Sequence, residues 1–119
     1  MMQETYEKCR AHRPVPVISF HGTSDYIVPY DGSDGELISV DNVIRFWKDK
    51  NQILDQGSTV SYTDRSTLVV LYSFEDTVNN MAIKHYKIQG GSHIWFDLNL
   101  NGMDTVDIIW NFFKQYELR

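Results

Sequence analysis

VPVISFHGTSD, residues 15 to 25, decides how the chain is to be read. VPVISF is a continuous apolar run between Pro14 and His21-Gly22, the mark of a β-strand covered on both faces, and it is expected to be central in a sheet. The glycine ends the run, and three residues later Asp25 brings in a carboxylate. Turn formers then follow closely (Pro29, Asp31-Gly32, Asp34-Gly35), so residues 21 to 38 read as one long loop, the kind that often carries function.

Outward from this stretch, helical and extended patterns alternate. Ser39 is placed to cap a helix over 40 to 50, in which Val40, Val43, Ile44 and Trp47 recur at i, i+3, i+4 and i+7 as the buried stripe. TVSY (59 to 62), STLVVLYSF (66 to 74) and MAIKHYKI (81 to 88) are β-branched and aromatic runs, the last two joined through EDTVNN as an antiparallel hairpin. QGGSHIWFDLNLNG is a second loop. Asp104 then caps a second helix in which Val106, Ile109, Trp110 and Phe113 are expected to face the core, with Lys114 and Arg119 suited to its C-terminal dipole. This order predicts an α/β fold, a sheet of about four strands with a hairpin, covered by helices, as one domain over 1 to 119.

Composition narrows the function classes. The chain has 119 residues, 42% of them hydrophobic, enough for one core. Its net charge of −5, with no basic run, argues against nucleic acid as partner. No stretch approaches the ~18 apolar residues of a membrane span, and the start has no apolar run of signal-peptide length. Cys9, the single cysteine, is either a free thiol or half of a bridge to another chain or segment. There is no internal repeat, and His12, His85 and Cys9 do not make a zinc spacing, so neither metal nor cofactor is expected.

In α/β sheets, ligands gather where loops leave the carboxyl ends of the strands. Two loops qualify, one holding Asp25 and one holding His93. An imidazole serves as general base near neutral pH, and a carboxylate bonded to its far nitrogen fixes the tautomer and stabilises the imidazolium. Neighbouring parallel strands would bring the two side chains to one rim although many residues separate them. Gly90-Gly91 lets the backbone turn sharply before His93. The plainer reading is that Asp25 makes a turn with the backbone of the residues after it and His93 is a solvated loop histidine.

HGTSDYIVPYDG (21 to 32), SVDNVIRFWKDKN (39 to 51), HYKIQGGSHIWF (85 to 96) and GMDTVDIIWNFFKQY (102 to 116) resemble, in order and spacing, the C-terminal half of an α/β-hydrolase. The branch they look like groups poly(3-hydroxybutyrate) depolymerases with feruloyl and acetylxylan esterases. The resemblance runs from Arg13 to the end. It implies a carboxylic-ester hydrolase in which Asp25 is the acid and His93 the base of a Ser-His-Asp triad. The implied substrate is a polyester, or a feruloyl or acetyl ester of a polysaccharide, handled in a secreted or periplasmic setting. Trp95 either stacks on an aromatic or sugar group beside His93 or wedges the loop, and Tyr30 is a candidate for lining the cleft.

The chain also departs from that family. Its triads run Ser, Asp, His, with the serine on a G-x-S-x-G elbow, and no G-x-S-x-G is present. Neither Ser33 nor Ser92 has the spacing of a nucleophile. The chain thus reads as a fragment without the elbow-bearing half, inactive alone, because losing the nucleophile costs on the order of 10⁶ in turnover. A non-catalytic interaction module that kept part of the scaffold is the alternative. Phe96 stands where the family commonly has proline. His21 reads as closing the strand, and Asp31, Ser33 and Asp34 as a turn rather than a calcium loop. With its neighbours missing, the edge of VPVISF is expected to pair with a second copy or with the absent half.

Overall fold

The computed structural model describes residues 15–25, 27–32, 39–77, 80–92, 94 and 96–116. Cys9, His12, Tyr26, Ser33, Asp34, His93, Trp95 and Arg119 lie outside the described residues. Four strands, β1 (Val17–Gly22), β2 (Ser58–Asp64), β3 (Thr67–Asp76) and β4 (Met81–Ile88), form one sheet in the order β1-β4-β3-β2. β1 runs parallel to β4, while β3 is antiparallel to both β4 and β2. Helix α1 (Val40–Lys50) lies between β1 and β2 in the chain, and helix α2 (Thr105–Gln115) follows the short pair β5 (Asn99–Leu100) and β6 (Met103–Asp104). This mixed sheet with a few helices is a small domain of the α/β type.

Side-chain alternation along β4 builds the layers. Met81 and Ile83 point to one face, where Ile44 and Trp47 of α1 cover them together with Val17 and Phe74. Tyr86 and Ile88 point to the other and join Val69, Leu71, Leu98, Leu100 and Ile108 in the larger core cluster. Each such side chain contributes about 1.5–3 kcal/mol on full burial. Residues 40 to 50 form the helix that their spacing predicts, and Ser39 caps it by accepting a bond from the Asn42 amide at 3.2 Å. β3 and β4 form the expected antiparallel hairpin.

Two expectations are adjusted. β1 is not central but has the open edge expected where its upstream neighbours are missing: among the described residues its one strand partner is β4, and Val17 through His21 are only half-buried. The apolar run correctly reports that both faces meet apolar matter, because Val17 packs with the α1 side while Ile18 and Phe20 pack with the α2 side. It carries no information on whether a strand lies alongside. Helix α2 is rotated from the expected phase. Asp104 caps it, accepting from the Asp107 amide at 2.8 Å, but its inward residues are Thr105, Ile108 and Phe112, continued by Tyr116. Val106, Trp110 and Phe113 are 63%, 67% and 48% exposed. The helix carries two apolar stripes, and the sheet takes the one that fits Ala82, Ile18 and the main core.

His85 is the polar side chain the sequence reading undervalued. It is wholly buried. Its Nδ1 pairs with Ser19 Oγ at 2.7 Å and its Nε2 with Tyr30 OH at 2.9 Å, so both ring nitrogens are satisfied. Burial, helped by the charges of His21 and Lys87, lowers its pKa from 6.5 to about 4. The folded chain therefore refuses a proton that the unfolded chain accepts, so stability falls as pH drops from about 6.5 towards 4 and the loss levels off below that. Between pH 7.5 and pH 5 this single group should cost about 2 kcal/mol. Urea midpoints at the two pH values, compared with those of His85→Gln, measure it. Equal losses in both proteins would assign the acid sensitivity to other groups.

Candidate functional site

The parallel register sets the site. Gly22 is paired with Ile88, so β1 and β4 end level and their following loops leave the same rim of the sheet. Backbone bonds then join the loops: the Thr23 amide donates to Ile88 O at 3.0 Å and the Ser24 amide to Gly91 O at 2.8 Å. From the other side, the Gly90 amide donates to Thr23 Oγ1 at 2.7 Å. The approach is so close that a Cβ on Gly22 would lie 2.1 Å from Gly91 O. Gly90, at φ 76°, makes the sharp turn that precedes this contact.

Asp25 sits just beyond the seam and is buried, at 7% exposure. Its Oδ1 accepts from the Ile27 amide at 2.9 Å and the Val28 amide at 2.8 Å, folding the loop back around the carboxylate. His21 locks that turn. Its Nε2 donates to Val28 O at 2.6 Å, which fixes the tautomer with the proton on Nε2, and lies 3.5 Å from Asp25 Oδ2. The His-Gly that closes the strand thus also braces the acid-bearing loop. The spacing of four between His21 and Asp25 was the available signal, but only the curl of the loop brings them together.

A cavity of about 420 Å³ opens here, lined by Phe20, His21, Asp25 and Val28 from the first loop and by Ser92, Ile94 and Phe96 from the second. His93 and Trp95 lie outside the described residues, but the residues flanking them line the same cavity as Asp25. Tyr30 is directed elsewhere. It is buried, bonds His85 through its hydroxyl, and borders a separate cavity under α1. Burial, reinforced by Asp41, holds its hydroxyl well above the ordinary tyrosine range, so it stays protonated. Among the described residues no group of three or more His, Cys, Asp and Glu is placed to hold a metal ion. Nor is any described helix long and apolar enough to cross a membrane.

A buried carboxylate at the edge of a cavity lined by both loops can accept from a proton-bearing nitrogen and steady the positive charge that nitrogen would take up. No family model matches the chain. The chain is similar to a bifunctional acetylxylan esterase/xylanase of Neocallimastix patriciarum, 29% identical over 109 residues. The match covers 90% of this chain, which spans 14% of the length of that curated relative. This likeness supports an esterase-like relationship at the level of distant homology.

Proposed function

We propose that this chain supplies the acid and the base of a serine ester hydrolase. Asp25 orients His93, His93 takes the proton from a serine borne on another segment, and that serine attacks the ester carbonyl. The imidazolium then protonates the leaving alcohol, and water activated by the same ring releases the acid from the acyl-enzyme. The observation that supports this most is the seam at Gly22 and Gly91, which holds the Asp25 turn against the loop leading into His93. The similarity to an acetylxylan esterase favours an acetyl ester of a polysaccharide as substrate over a polyester or a feruloyl ester.

The reading also needs a place for the serine-bearing segment. β1 has a free side among the described strands, and beside it Ile18, Phe20, Ile109 and Phe113 border an apolar cavity of about 350 Å³. Trp110 and Val106 extend this surface along α2. A strand added to β1 would satisfy its edge amides and carbonyls and cover the stripe; without that segment, a second copy would take its place.

The test is complementation with p-nitrophenyl acetate. The chain alone should show no turnover above background and should sediment as an oligomer. Adding the G-x-S-x-G-bearing half of an acetylxylan esterase should bring turnover and replace the self-associated form. A mixture that forms a complex yet stays inactive would defeat the reading. Turnover by the chain alone would defeat the requirement for a borrowed serine.

A further inference from the structure

On the α1 side of the sheet, away from the Asp25 cavity, lies a second cleft of about 430 Å³ with a different chemistry. No described residue lines both. Its floor is aromatic: Tyr72 of β3 stacks on His85 of β4 with ring centres 6.1 Å apart. Phe74 and Tyr30 extend the floor at either end. Its rim is cationic, with Arg45 and Lys48 from α1 facing Lys87 from β4, and Asp41 is the one carboxylate among the described lining residues. Among the described lining residues three cations stand against one anion, with Asp31 near enough to act on Tyr30, in a chain whose net charge is −5.

The lysines sit over rings. Lys48 Nζ is 4.6 Å from the Phe74 ring centre and Lys87 Nζ is 5.0 Å from that of Tyr30. Cation–π placement of this kind holds an ammonium near an apolar surface while leaving its N–H groups able to reach an anion. His85 contributes no charge at neutral pH, and both its nitrogens are already engaged, so it acts as wall. The volume is within the ordinary range for small-molecule sites, which pair an apolar lining with a few placed polar groups.

We infer that this cleft binds a carboxylate carried on a six-membered ring, the ring lying against Tyr72 and Phe74 and the carboxylate facing Arg45, Lys48 and Lys87. An aromatic acid and a sugar acid share this chemistry. The inference is independent of the ester-hydrolase proposal, because neither Asp25 nor His93 takes part.

Amide chemical shifts of the whole chain, followed during addition of benzoate, of glucuronate and of their uncharged counterparts benzyl alcohol and glucose, test it. At low salt, at least one of the two acids should move the Tyr72, Phe74 and Lys87 amides saturably, with a dissociation constant on the order of 1 mM. Its uncharged counterpart should bind at least about tenfold more weakly. Arg45 is exposed, so Arg45→Gln should keep the fold and weaken the acid several-fold; Lys48→Gln should act in the same direction. Which acid binds more tightly identifies the source. Absence of saturable shifts for both acids would overturn the inference. So would equal binding of the uncharged counterpart, or shifts that centre on the Asp25 loop.

Discussion

Asp25→Asn is expected to lower ester turnover about 10⁴-fold in the complemented hydrolase while leaving the fold in place. Asparagine keeps the carbonyl oxygen that the Ile27 and Val28 amides need, so the turn around residue 25 survives. It loses the negative charge, and it puts an N–H where the second carboxylate oxygen stood. An imidazole facing that group would be held in the wrong tautomer and would have nothing to steady its positive form. Initial rates with p-nitrophenyl acetate, at matched complex concentration, measure the effect. A loss below about tenfold would reduce Asp25 to a turn former, the plainer role that its two amide bonds already perform.

Gly22→Ala should have the largest effect on stability. The new Cβ would stand 2.1 Å from Gly91 O, 2.2 Å from Gly91 C and 2.7 Å from Gly91 Cα. All three are backbone atoms, so no rotamer change relieves the overlap. The loops must part, giving up the Thr23, Ser24 and Gly90 amide bonds that cross the seam. At about 1 kcal/mol for each bond, plus the strain of moving the strand ends, the cost should be at least about 3 kcal/mol. Gly90→Ala is the control: a Cβ there meets nothing within 4 Å, although φ is 76°, so its cost should stay near 1 kcal/mol. Urea denaturation orders the two variants. Equal costs would mean that the loops are not held as closely as the seam requires.

Local signals carried much of this fold into the sequence. Ser39 and the spacing of Val40, Val43, Ile44 and Trp47 define α1 because cap and stripe agree, although Phe46, off that stripe, is buried beside Val40 while Val43, Ile44 and Trp47 are half-buried. In α2 the cap is equally plain, yet Val106, Ile109, Trp110 and Phe113 compete with Thr105, Ile108, Phe112 and Tyr116, and only packing on the sheet chooses between them. The β2–β3 turn gave no signal. It is made by Arg65 and Ser66 at φ 46° and 72°, conformations that Asn-Gly would have advertised. At the site, the types of Asp25 and His93 and their positions after strands were readable. The brace from His21 was not, since a bond to Val28 O depends on how the loop curls. His85 was readable in part: alternation sets it on the face of Met81 and Ile83, but its two partners come from distant segments.

We propose that one rim of the sheet brings the Asp25 carboxylate to the His93 ring. Proton titration of the His93 ring signals by NMR, in the unsubstituted chain and in Asp25→Asn, tests it without any need for a nucleophile. Removing the carboxylate should lower the proton affinity of that ring about tenfold or more. Superimposable titration curves in the two proteins would contradict the account.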